Sequence, residues 1–178
     1  MRLRYKLSFL TLMACLLISW LALGAFQQQK PVDPVNFREL LFFLVDLPGW
    51  VADDKPEGAT IAYGEEYKVS QAQRSYSAGE KSLSVTVVDG AYVPMVYSNF
   101  QMYKTFEMDT SEQYTKGTTF KGYPGVESYE YEPKTGFLMV MVADRFLVTV
   151  EGDPVDNLDE IKEVAENLPW SELAALAK

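Results

Sequence analysis

"FLMVMVADRFLVTV", residues 137–150, is the stretch on which the fold turns. It reads as two short strands, "GFLMVMVA" and "RFLVTVEG", divided by "ADR", and its apolar residues fall on both pleat faces. An antiparallel sheet with one face in water alternates apolar and polar side chains, and this run does not. Both faces therefore need a cover. The economical expectation is an α+β domain: an antiparallel sheet of about six strands with helices covering both faces, an α/β/α sandwich.

The flanking sequence supplies the other elements. Upstream, "GTTFKGY" and "GVESYEYE" complete a four-strand meander whose turns fall at "YPG", "EPKTG" and "ADR". Further back, "ATIAY", "YKVSQAQRSY" and "SLSVTVV" change from helical period to period two, with "SAGEK" as a turn before the last. Val96, Phe100 and Tyr103 at helical spacing place a helix in "MVYSNFQMYKTF". Two more helices flank the domain. Asp33 and Pro34 open one with Phe37, Leu40, Leu41 and Leu44 on its apolar side, and "LPGW" stops it. Asp153 and Pro154 open the other, with Leu158, Ile161, Val164 and Leu168 as its stripe; beyond Pro169, Trp170, Leu173 and Leu176 dock a last turn or two.

Residues 1–26 read as targeting. Arg2, Arg4 and Lys6 precede a run from Leu7 to Phe26 without charge, which fits a signal peptide cut near Gly24 or an uncleaved anchor, since about 20 residues span a hydrocarbon core. Residues 27–35 form a polar tether, and 36–178 a single exported α+β domain. Cys15, the lone cysteine, sits in the apolar run as a small filler, so no disulfide holds the exported part.

Without the three basic residues of the leader, 13 Lys and Arg face 25 Asp and Glu, an excess of twelve negative charges. Nucleic acid is excluded as a partner, because its phosphates require basic side chains, and a membrane is met only through residues 7–26 if they are retained. The chain has no histidine. That removes the commonest general base and metal ligand, and with no thiol outside the leader no catalytic residue, metal site or cofactor is assigned. No phosphate-binding glycine motif occurs, and the acidic "DPVDNLDE" lacks the central glycine and ligand spacing of a calcium loop.

One stretch invites a binding role. "GYPGVESYEYEP" brings Tyr129, Tyr131, Glu130 and Glu132 together. If Glu132 pairs with Phe137 across "EPKTG", then Tyr129 faces Val140; alternation puts Glu127, Tyr129 and Tyr131 on one face and Glu130 and Glu132 on the other. The tyrosines then make a docking platform, or a cover for the sheet, and the two glutamates an acidic contact on the opposite side.

The succession of "YEYE" (Tyr129–Glu132), a turn, a hydrophobic strand, a tight turn, another strand and a closing helix resembles the C-terminal half of the PsbP and Mog1 superfamily of α/β/α sandwiches, and "LPGW" resembles the short entrance of those domains. The likeness covers roughly the final third of the chain. It implies that fold and a habit of non-enzymatic assembly work outside the cytoplasm; the histidine metal sites of some PsbP-like members have no counterpart in a chain without histidine. The expectation is an exported or membrane-tethered accessory domain that binds a protein or small ligand. Alternatives are a carboxylate-dependent hydrolase of cell-surface polymers, or an anchored subunit of a larger complex.

Overall fold

The structure is a computed structural model and describes residues 32–177 except 54, 65, 66 and 91–93. The expected leader, with Cys15, and most of the expected tether lie outside the described residues, and among the latter no helix is long and apolar enough to cross a membrane. Residues 31–178 form one compact unit.

Among the described residues nine strands make one antiparallel sheet: β1 (Val51–Ala52), β2 (Glu57–Tyr63), β3 (Tyr67–Ala78), β4 (Lys81–Asp89), β5 (Glu107–Asp109), β6 (Gln113–Phe120), β7 (Tyr123–Glu130), β8 (Thr135–Val142) and β9 (Phe146–Asp153). The order is β1-β3-β4-β9-β8-β7-β6-β5, with β2 also on the outer side of β3. Two runs of hairpins thus meet at β4 and β9, where Val85 faces Val150 and Val87 faces Val148.

The helices are α1 (Phe37–Leu40, extended by a 3-10 turn at Leu41–Phe43), α2 (Pro94–Tyr103), α3 (Leu158–Ala165) and α4 (Trp170–Ala175). They correct the expected α/β/α sandwich. α1, α3 and α4 gather on a single face, where Leu40, Phe43, Ile161, Leu168 and Trp170 close over Leu83, Val85, Leu138, Val140, Val148 and Val150. Trp170 stands edge-on between Phe43 and Phe120, each 5.5 Å away, and donates its indole N–H to Ala165 O at 2.8 Å. Burying each such large side chain stabilises by roughly 2–3 kcal/mol.

The opposite face receives one short helix. The chain leaves β4 in mid-sheet and resumes at β5 on the far edge, so α2 lies along a path past four strands spaced about 4.8 Å apart. It buries Phe100 against Val126 and Met141, and Phe137, Met139 and Leu147 around them stay half-exposed. The two-sided apolar run is real, but its second face is covered at one patch and not by a layer.

Other expectations also shift. The first helix is capped by Asn36 in a capping box with Glu39, while Asp33 pairs with Lys68. Asp153 is the last residue of β9, opposite Ser82, and α3 starts five residues on, capped by Asn157, which accepts from Glu160 N. The "YPG" turn falls inside β7, because the reversal sits at Lys121–Gly122, both with positive φ, the twist a two-residue hairpin needs. The short strands β1 and β5 carry no periodic signal of their own.

Candidate functional site

The four residues singled out from the sequence part company. Tyr129 is buried, and its hydroxyl proton is shared between Val155 O and Asp156 O, each 2.9 Å away, which fastens the approach to α3. Tyr131 lies just beyond β7 and is 43% exposed. Glu130 is exposed, level with Gln113 and Thr135, and Glu132 is exposed in the turn between β7 and β8.

The register differs from expectation by four residues: Tyr129 faces Gly136 and not Val140, because the turn closes over residues 131–134 with Lys134 at positive φ. A shift of four leaves the faces unchanged. Gly136 leaves a close fit there, since a Cβ would meet the Tyr129 ring at 3.0 Å and Ile161 at 3.2 Å and both would have to give way slightly. Its neighbour across β9, Gly152, is tighter still: a Cβ would lie 2.4 Å from Val155. This pair of bare positions lets the ring and α3 rest close on the sheet.

Around Tyr129 the helix-covered face carries two cross-strand rows at the β5 end. One runs Asp109, Tyr114, Tyr129, Gly136; the next runs Glu107, Lys116, Glu127, Leu138. Tyr114 is half-buried, with its ring 6.4 Å from Tyr129 and 6.3 Å from Tyr131, and Tyr131 stands 5.8 Å from Tyr129. These three rings form one cluster with an open side. There a cleft of about 240 Å³ is lined by Glu107, Met108, Asp109, Tyr114, Lys116 and Tyr131.

The second row is a ladder of alternating charge. Glu127 is buried, with Lys162 Nζ from α3 at 2.8 Å on Oε2 and Lys116 Nζ at 3.3 Å on Oε1. The Lys162 contact is a charge contact and not an aligned hydrogen bond, which leaves Oε2 with no hydrogen-bond donor. Burial pushes the Glu127 carboxyl upward, yet the two ammonium groups and Thr118 together hold it below the ordinary glutamate value. Lys116 also lies over the Tyr114 ring, 5.5 Å from its centroid. Burial first, then the Glu127 charge, pushes the Tyr114 phenol up to about 12, so it stays neutral at physiological pH.

Sequence reasoning missed Tyr114, Lys116, Glu107 and Asp109, since nothing marked β5 as a strand. The signal that could have found two of them is the alternation Tyr114, Lys116, Thr118, Phe120, which continues the face of Tyr129 across a hairpin. A second buried charge was missed as well. Asp89 and Arg145 form an ion pair at 2.9 Å, both side chains out of water, with the guanidinium also donating to Asp33 O and Leu176 O and the carboxylate accepting from Val35 N. Among the described residues no cluster of three acidic side chains is arranged to hold a metal ion.

Comparison with protein families, with curated proteins and with solved structures finds nothing that matches this chain. Nothing in these comparisons bears on the expected resemblance to PsbP and Mog1.

Proposed function

We propose that this chain is a non-enzymatic accessory domain, exported or tethered to a membrane, which uses the tyrosine cleft beside β5 to hold a cationic side chain of a partner. One observation carries the reading: an exposed ring, Tyr131, is fixed against two others beside the carboxylates of Glu107 and Asp109. Angled rings attract a cation through their negative faces, and nearby carboxylates add Coulomb attraction. Lys116 over Tyr114 is the chain's own instance of that contact. The acidic excess of the whole chain raises the encounter rate with basic partners. The export half of the proposal is supported by Arg2, Arg4, Lys6 and the uncharged stretch from Leu7 to Phe26.

Glu107 and Asp109 are also the pair on which a carboxylate-dependent hydrolase would draw, as both line the cleft from one side of β5. Both are exposed to water, whereas a carboxyl that must keep its proton at neutral pH needs burial, so binding is the better use of them.

The test is an NMR titration with the peptide acetyl-Arg-Gly-Arg-amide, with acetyl-Glu-Gly-Glu-amide as the control. Shifts confined to Asp109, Tyr114 and Tyr131 with the basic peptide, and lost in Tyr131→Ala, are the expected result. Equal response to both peptides, or an unchanged response in Tyr131→Ala, would discard the cleft as the site.

A further inference from the structure

A different groove, on the outer edge of β6, carries a second and independent inference. β5 covers only Tyr114–Lys116 of that edge. Gly117–Phe120 pair with β7 on one side and with no described strand on the other. The cause is local. The chain coming from α2 passes over the sheet at Lys104, whose carbonyl oxygen would lie 2.1 Å from a Cβ on Gly117, so only glycine admits the crossing. It reaches the strand line at Glu107, and behind it remains a groove of about 450 Å³ lined by Lys104–Glu107, Lys116–Thr119 and Pro124.

An uncovered strand edge presents backbone donors and acceptors at regular spacing and is a template for another strand unless something blunts it. Here the wall offers contacts as well. Phe106 is 41% exposed and stands edge-on to Tyr103, itself exposed, with exposed Met102 one residue further back. The free positive charge there is Lys104, which is exposed and forms no ion pair among the described residues; Lys116 at the inner end is engaged with Glu127, and Glu107 lines the same groove.

We propose that this groove receives an extended segment of a partner protein, added to β6 alongside Gly117–Thr119 in line with β5, with an apolar side chain against Phe106 and an acidic one at Lys104. Main-chain hydrogen bonds supply the affinity in such an addition, and the side chains on alternate positions supply the choice of partner. At about 3.3 Å per residue the open edge takes roughly four residues. Glu107 and Lys116 border both sites, but the acidic side chain separates this ligand from the basic one of the tyrosine cleft, and Lys104→Met and Tyr131→Ala test the two separately.

Hydrogen exchange of the intact chain tests it, with acetyl-Thr-Val-Glu-Val-Thr-amide as the probe. Two controls accompany it: the same peptide with Lys for Glu, and one N-methylated at alternate residues, which cannot complete the ladder. In the free protein the outward amides of residues 117–119 should exchange fast, and the acidic peptide should slow them roughly tenfold or more at saturation. Lys104→Met, a surface change, should weaken that peptide about fivefold while exchange in β7 to β9 stays as it was. The proposal fails if these amides are already protected like those of β7. It also fails if the acidic peptide leaves their exchange unchanged, or if either control slows them equally.

Discussion

Among the described residues two carboxylates are buried, Asp89 and Glu127, and their partners differ in kind. Asp89 meets a guanidinium that is itself buried, at a fixed fork geometry, where the sheet's midline meets residues 33–35 and 176. Glu127 meets two lysines whose stems reach in from water, with side chains 52% and 32% exposed. Charge buried on both sides has no solvent to fall back on if one member leaves, whereas lysines at a surface can turn outward. The first pair is a lock, and the second is an adjustable brace beside the cleft.

Breaking the lock should have the largest effect. Asp89→Ala takes the carboxylate from a buried guanidinium and from Val35 N, and should cost about 3–5 kcal/mol in urea unfolding. A loss under about 1 kcal/mol would mean that Arg145 finds water, and would erase the distinction.

Glu127→Gln should cost less, about 1–2 kcal/mol, because Lys116 and Lys162 rehydrate. The pH dependence sharpens this. Since the native carboxyl titrates below its unfolded value, its contribution is full above the unfolded value of about 4.3 and is lost as pH falls through the native one. The wild-type chain should therefore lose more stability than Glu127→Gln on acidification below about pH 4, and parallel curves would refute it.

Next in size is Tyr129→Phe, which removes one hydroxyl from two buried carbonyls and should cost about 1 kcal/mol. It should leave the cleft's response to basic peptide intact. Smallest is Tyr131→Ala, with a ring half in water, which should change stability by less than about 0.5 kcal/mol while removing peptide binding. If the order of these two reversed in unfolding experiments, Tyr131 and not Tyr129 would be the anchor.

Much of this was legible beforehand, for reasons visible in particular residues. Strands of the second half announced themselves through alternation, and the face assignment of Glu127, Tyr129 and Tyr131 survived a wrong register because the error was even. The stripe of Leu158, Ile161, Val164 and Leu168 was equally plain and is buried. What could not be read was tertiary in origin. β5 is three residues long and exists because β6 offers it an edge. The burial of Glu127 depends on Lys162, 35 positions away, and the sparse covering of the second face on where β4 and β5 lie in the sheet.

The Arg145 clamp has a consequence for how the chain could be rewired. One guanidinium donates to Asp33 O and to Leu176 O, so the first and last described segments lie within the span of a single side chain. Ends that close tolerate being joined. A circular permutant, bridging 177 to 32 with a few glycines and serines and opened in the Gly79–Glu80 turn, should fold with its tyrosine spectrum and exchange pattern unchanged. Both sheet edges would stay clear of the new junction, so neither the cleft nor the β6 groove would notice where the polypeptide begins.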